Sequence, residues 1–163
     1  PKEHREVPPL RRAYAAMLKR AFPEATVCVN GGLATLEQAE AAMAGVDGCM
    51  IGRAAYQNPW LLSDVDARLF GDDHDVPTRA DVLDAMTAYL QTAVARSPLA
   101  LRGTARHMLG LLNGLAGAKA WRRTLSDPAA YAAFGTELLH EAYARAGWRE
   151  AAVGCDRLDA DEY

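Results

Sequence analysis

The sequence predicts an α/β segment followed by an all-α segment, at residues 1–72 and 73–146, and then a flexible tail at 147–163. Two short apolar stretches in the first segment end in glycine and alternate with helical patterns, which is typical of parallel β/α units. The polar stretch 71–77 is rich in Asp and ends in proline, so it marks the boundary between the segments. After it, apolar residues recur at helical spacing without a strand pattern.

The α/β segment is expected to begin with a helix over residues 8–22. Pro8 and Pro9 suit its first turn, where a backbone N–H has no partner within the helix. Apolar side chains then recur at helical spacing until Pro23, which cannot continue a helix.

Two strands are predicted, over residues 26–30 and 46–51. Both are short and nearly all apolar, which is typical of strands buried on both faces of a parallel sheet. Between them, Thr35 and Gln38 form a capping box that opens a helix over 35–44. The order helix, strand, helix, strand therefore specifies crossover connections.

Two strands cannot cover both of their own faces, so more strands must belong to the same sheet or barrel. Asn58 and Pro59 start a further helix after the second strand. The chain also begins at Pro1 rather than Met. We therefore expect a fragment of a larger sheet or barrel that continues upstream.

The all-α segment opens with a second capping box, formed by Thr78 and Asp81. Its first helix carries one apolar face and ends at Ser97-Pro98. Three more helices are expected over 99–113, 115–125 and 128–146. Four antiparallel helices of this kind predict a four-helix-bundle-like domain.

Composition limits the function classes. The net charge is -3, so a protein that coats nucleic acid indiscriminately is excluded and any nucleic-acid site must be a local patch. Cys28, Cys49 and Cys155 lie far apart, which fits a reduced cytoplasmic protein better than a disulfide scaffold or a zinc site. No apolar run reaches the roughly 18 residues needed to span a bilayer, so no membrane partner is expected.

Two glycine sequences directly follow the predicted strands, Asn30-Gly31-Gly32 and Gly52-Arg53. In a parallel barrel both lie at the carboxyl ends of the strands, where ligands bind. Glycine lets backbone N–H groups approach an anion closely, and Arg53 can contribute a charged contact. The pair predicts a phosphate site, and the alternative is that these glycines only make tight turns.

Residues 85–126 form a basic stretch, because they contain no Asp or Glu. Its cations are Arg96, Arg102, Arg106, Lys119, Arg122 and Arg123. Adjacent helices could merge them into one electropositive surface that suits a folded RNA. The alternative is a solvated helix face with ordinary ion pairs, in which Trp121 belongs to the core and His107 is a structural histidine.

Four stretches of the sequence resemble the tRNA-dihydrouridine synthase family, closest to its A-type branch, and the similarity extends to about residue 146. They are PKEHREVPPL, VNGGLATLEQ, VDGCMIGRAAYQNPWLL and RGTARHMLGLLNGLAGAKAWRRTLS.

The resemblance implies a C-terminal fragment that holds the last two β/α units of a TIM barrel. It also implies an FMN- and NADPH-dependent enzyme that reduces uridine in tRNA to 5,6-dihydrouridine. It implies FMN phosphate binding by Asn30, Gly31, Gly32, Gly52 and Arg53. It further implies tRNA contacts by Lys2, Arg5, Lys119 and Arg122, to which the basic stretch adds Arg102 and Arg106. We expect a full-length monomer.

No catalytic residue is expected in this chain. The family's proton-donating Cys lies on an earlier barrel loop, whereas Cys28 and Cys49 fall within strands. We therefore expect the chain alone to be inactive. Two other functions remain open: an FMN barrel oxidoreductase that acts on a small molecule, and a non-catalytic RNA-binding helical module.

Overall fold

The computed structural model describes residues 11–148, and residues 1–10 and 149–163 lie outside this range. Within it, helices and strands alternate first and helices alone follow. The α/β segment consists of α1 (Ala13–Ala21), β1 (Cys28–Asn30), α2 (Leu36–Ala42), β2 (Gly48–Met50), α3 (Arg53–Gln57), a 3-10 turn (Pro59–Leu62) and α4 (Val65–Phe70). The helical segment consists of α5 (Arg79–Arg96), α6 (Ala100–Ala105), α7 (Ala118–Ser126), α8 (Pro128–Phe134), a 3-10 turn (Gly135–Glu137) and α9 (Leu138–Arg145).

The two strands are parallel, and Cys28 pairs with Gly48 while Asn30 pairs with Met50. They are shorter than predicted. Just before the ladder, the Val27 N–H donates to the Asp47 carboxylate (2.7 Å), and the Asp47 N–H donates to the Val27 carbonyl (2.9 Å). The Asp47 side chain therefore supplies one of the two bonds that join the chain just before the strands, and the backbone supplies the other.

Within the described part of the chain, the two strands are not buried on both faces. In β1 only Val29 is buried, and Cys28 and Asn30 are exposed. Helix α1 likewise buries none of its residues. Tyr14 and Met17, which carry its predicted apolar face, are more than half exposed.

Helix starts follow the predicted capping residues. The Gln38 N–H donates to Thr35 Oγ1 at 3.2 Å, and Gln38 Oε1 accepts from the Ala34 N–H at 2.9 Å. At the start of α5, the Asp81 N–H donates to Thr78 Oγ1 (3.2 Å), and Asp81 Oδ2 accepts from the Thr78 N–H (2.7 Å). These bonds satisfy N–H groups that a helix leaves unpaired in its first turn.

Two predicted helices are too long. The helix expected over 99–113 ends at Ala105, and turns with bonds to the third preceding carbonyl follow it. The helix expected over 128–146 is divided at Gly135, whose backbone (φ 51°, ψ -128°) is not helical. A Gly at this position permits a break that a residue with a Cβ would resist.

The core of the helical segment surrounds Trp121, whose side chain is fully buried. Its indole N–H donates to the Met108 carbonyl at 3.0 Å, in the turns that follow α6. Leu83, Leu90, Leu112, Leu125, Leu138 and Leu139 pack around it as fully buried side chains. Trp148 also belongs here, since it stacks on Tyr143 and donates to the Ala116 carbonyl at 3.0 Å.

The α/β segment and the helical segment touch through a few side chains. The Arg79 guanidinium lies 3.9 Å from the centre of the Trp60 ring, and its Nε donates to the Leu111 carbonyl. A Cβ on Gly110 would lie 2.4 Å from the Gln57 carbonyl oxygen. The backbones therefore approach closely at Gly110.

Among the described residues, no helix has both the length and the apolarity that a membrane span requires.

Candidate functional site

The two strand ends form one side of an open pocket of about 350 Å³. Asn30 and Met50 are paired in the sheet, so the loops that follow them leave the same edge side by side. All five residues predicted for phosphate binding line this pocket: Asn30, Gly31, Gly32, Gly52 and Arg53. The structure therefore brings these residues together.

The loop after β1 depends on glycine. Gly31 (φ 126°) and Gly32 (φ 64°) both have positive φ, which residues with a Cβ rarely adopt. Arg12, at the start of α1, donates from Nη2 to the Gly31 carbonyl at 2.8 Å. In a trans peptide the C=O and the next N–H point in opposite directions. Arg12 therefore turns the Gly32 N–H away from α1.

Arg53 is the first residue of α3 and its side chain is exposed. It makes no ion pair or side-chain hydrogen bond with any described residue, and no carboxylate lines the pocket. A guanidinium without a carboxylate partner can bind phosphate oxygens with two parallel hydrogen bonds. The donors at this pocket thus suit a phosphate.

Cations of the basic stretch lie around two further pockets. Arg102 and Arg106 line one of about 820 Å³ between α6 and the start of α8. Arg106 and Arg122 line another of about 380 Å³, which also reaches Tyr56 of α3. Arg106 belongs to both pockets, so the three arginines border one continuous region.

Lys119 is exposed on α7, one helical turn before Arg122. It lines neither of these two pockets. Lys2 and Arg5, the other predicted tRNA contacts, lie outside the described residues.

Comparison with known proteins identifies the family. The profile of the dihydrouridine synthase (Dus) family matches residues 1–146. This chain belongs to the dihydrouridine synthase family. The match covers both the glycine loops and the basic stretch, so both features lie in the part of the chain that carries the family's pattern.

Curated relatives are bacterial proteins named tRNA-dihydrouridine(20/20a) synthase. The Vibrio cholerae protein is 41% identical over 153 residues, which are 94% of this chain and 46% of that protein. The Pseudomonas putida protein is 45% identical over 126 residues, 77% of this chain and 37% of its own length. The Synechocystis protein is 41% identical over 142 residues, which are 87% of this chain and 42% of that protein. The chain thus spans less than half the length of these dihydrouridine synthases.

Two residues of the basic stretch, Trp121 and His107, make contacts within the protein. Trp121 is a core residue, as the alternative interpretation held. His107 is hydrogen-bonded on both ring nitrogens, to Tyr56 Oη (3.0 Å) and to Arg106 Nε (3.1 Å), although its side chain is exposed.

Three residues that make contacts between distant parts of the chain escaped the sequence analysis: Arg12, Tyr56 and Arg79. Their partners lie 19, 51 and 32 residues away along the chain. Hydrophobic periodicity and motif spacing carry no signal for contacts of this kind. Arg79 could have been noticed only as a charged residue directly after the Thr78 cap.

Proposed function

We propose that this chain is the C-terminal portion of an FMN- and NADPH-dependent tRNA-dihydrouridine synthase, which reduces uridine in tRNA to 5,6-dihydrouridine. Its part is to hold the FMN phosphate and to contact the tRNA. The observation that carries the proposal is the pocket at the two strand ends, which two glycine loops and Arg53 line and to which no described residue contributes a carboxylate.

We place the two β/α units at the end of a TIM barrel, within residues 1–72, and the helical tRNA-binding domain at 73–146. The exposed apolar face of α1 supports this position, because earlier barrel elements would cover it. Tyr14, Met17 and Phe22 are 56%, 53% and 60% exposed. Large apolar surface of this kind usually marks a contact.

The residues present fit the terminal phosphate of FMN. Gly32 offers a backbone N–H whose direction Arg12 fixes, Arg53 offers a guanidinium that pairs with no described carboxylate, and Asn30 offers a side-chain amide. When bound, FMN supplies the hydride that reduces the uracil ring. This chain binds and orients the cofactor, while the proton donor belongs to the earlier part of the barrel, so we assign no catalytic residue here.

Four exposed cations of the basic stretch support the tRNA part of the proposal. Arg102, Arg106, Lys119 and Arg122 are exposed and pair with no carboxylate among the described residues. Lys2 and Arg5 complete the proposed contact set from the N-terminal end. Phosphate contacts of this kind fix the register of a folded RNA without reading its bases.

The first test separates a cofactor-phosphate site from two tight turns. In the full-length protein, Arg53→Ala should weaken FMN binding about 10-fold, since a charged hydrogen bond contributes about 1.5 kcal/mol. Riboflavin lacks the phosphate, so its affinity should not change. Arg53→Lys keeps the positive charge, so its affinity for FMN should lie between those of the wild type and Arg53→Ala. Flavin fluorescence measures each dissociation constant, and an equal loss for FMN and riboflavin would contradict the assignment.

A second test measures dihydrouridine formation. The full-length protein with FMN, NADPH and unmodified tRNA should form dihydrouridine, and we propose positions 20 and 20a as the sites. The 163-residue chain alone should form none. Oxidation of NADPH by a small molecule but not by tRNA would favour the small-molecule oxidoreductase instead, and dihydrouridine formed by the chain alone would overturn the division of roles.

A further inference from the structure

A cleft between α3 and the helical segment contains a second arrangement of anion-binding groups. We name it the junction cleft and define it by its polar lining, Tyr56, Gln57, Arg106, His107, Asn113 and Arg122. It has a volume of about 380 Å³, and within residues 11–148 no carboxylate lines it. Two guanidinium groups from separate stretches of the chain therefore face one opening without an opposing charge.

The hydrogen bonds of His107 determine its tautomer. Arg106 Nε lies 3.1 Å from His107 Nε2, and a guanidinium nitrogen can only donate. His107 Nε2 is therefore the acceptor, and the imidazole carries its proton on Nδ1. That proton is donated to Tyr56 Oη at 3.0 Å.

This chain of bonds leaves donors for a ligand. Tyr56 accepts from His107, so its own hydroxyl hydrogen remains available. Arg106 uses Nε on His107, and its two terminal nitrogens make no hydrogen bond with any described residue. The bond at Nε fixes the plane of the guanidinium, so less side-chain freedom is lost when the terminal nitrogens bind an anion.

The tyrosine ring adds rigidity to the arrangement. The Tyr56 and His107 rings meet edge to face, with centroids 5.8 Å apart and planes at 74°. Tyr56 lies in α3, one helical turn after Arg53 of the proposed cofactor site. The junction cleft is thus held at a fixed position relative to that site.

We infer that the junction cleft binds one backbone phosphate of the RNA substrate, and that His107 positions Arg106 for it. The inference rests on the proposed function. RNA is favoured over a free nucleotide because Arg106 also borders the neighbouring pocket with Arg102, and Arg122 lies one turn from exposed Lys119. A row of cations beyond the cleft suits a continuous chain of phosphates.

The test uses the full-length protein with tRNA at several salt concentrations. Arg106→Ala should weaken tRNA binding about 10-fold and reduce the slope of log affinity against log salt by about one. His107→Leu removes no cation, so it should weaken binding about threefold with the slope unchanged. His107→Gln should restore most of the affinity, because its amide oxygen can accept from Arg106 Nε.

Controls separate this inference from the proposed function. Lys119→Ala tests the proposed tRNA contact outside the cleft, and His107→Ala, which removes the same acceptor, replaces His107→Leu if that variant does not fold. Equal losses in His107→Leu and His107→Gln would overturn the positioning role, as would an unchanged salt slope in Arg106→Ala. A raised KM for NADPH with unchanged tRNA affinity would assign the cleft to the nucleotide. If only Lys119→Ala weakened tRNA binding, the proposed tRNA contact outside the cleft would be supported and the phosphate site in the junction cleft would be refuted.

Discussion

Trp121 lies within the basic stretch, residues 85–126, yet its side chain is fully buried. Its neighbours in sequence, Arg122 and Arg123, are exposed. Helical geometry produces this contrast, since residues one or two positions apart point to different sides of a helix. An aromatic residue in a basic stretch therefore indicates base stacking only if its ring is accessible.

At the residue scale we predict that Trp121→Phe destabilises the fold without weakening tRNA binding. The change removes the hydrogen bond to the Met108 carbonyl. The expected loss is about 2 kcal/mol, about half from the hydrogen bond and half from apolar atoms removed from the core. Urea unfolding of the purified protein measures it.

Trp148 provides the matched control, because its indole also donates to a carbonyl but its side chain is only half-buried. Trp148→Phe should cost less than Trp121→Phe. A fall in tRNA affinity with unchanged stability in Trp121→Phe would mean that this indole contacts RNA instead.

At the scale of elements, the sequence predicted helix boundaries well only where capping residues or a proline mark the ends of the helix. Helix α5 begins after Thr78 and ends before Ser97-Pro98, as its capping box and proline indicate. The helix predicted over 99–113 ends at Ala105 instead, and an indole from α7 donates to the Met108 carbonyl in the turns that follow. Such a bond comes from tertiary structure, which apolar periodicity does not report.

The link between α2 and α4 shows the same limit. Glu37 and Glu40 lie three residues apart, so a shared helix face was predictable. Their partner was not, because Arg68 lies about 30 residues later and bonds both carboxylates, at 2.7 and 2.9 Å. The hydrogen bond from Arg68 lowers the pKa of Glu37 from 4.5 to about 2.

This shift gives a prediction for acid stability. The folded chain holds Glu37 ionised at a pH where the unfolded chain has already bound a proton, so the stabilisation is present above pH 4.5 and disappears as the pH falls towards 2. Glu37→Gln should therefore lose less stability than the wild type between pH 6 and pH 3. Urea unfolding at both pH values measures the difference without adding salt.

Glu24→Gln serves as the control, because Glu24 makes no ion pair with any described residue. Its acid sensitivity should match that of the wild type. Identical pH dependence in wild type and Glu37→Gln would show that the bridge to Arg68 contributes nothing in solution.

At the scale of the whole molecule, the sequence predicted which residues meet at the strand ends but not how the two segments meet each other. Parallel β/α order alone brings Asn30 and Gly52 to one edge. The contacts of Tyr56 with His107 and of Arg79 with Trp60 depend instead on the packing of distant elements. Such contacts follow from shape complementarity, which one sequence does not reveal.

Gly110 lies where the backbones of the two segments approach closely, so a side chain there should destabilise the protein. A Cβ there would lie 2.4 Å from the Gln57 carbonyl oxygen and 2.9 Å from Pro59 Cδ. We predict that Gly110→Ala lowers the free energy of unfolding by about 1–3 kcal/mol, because a backbone must move to admit the methyl group.

Gly103→Ala is the matched control, because a Cβ on Gly103 meets nothing within 4 Å and the residue lies inside α6. There alanine should stabilise the protein by about 0.5 kcal/mol, since it restricts the unfolded chain and favours the helix. Urea unfolding compares both variants with the wild type. If the segments meet as described, the two substitutions have opposite signs, and a Gly110→Ala protein as stable as the Gly103→Ala protein would rule out the close approach of Gly110 to Gln57.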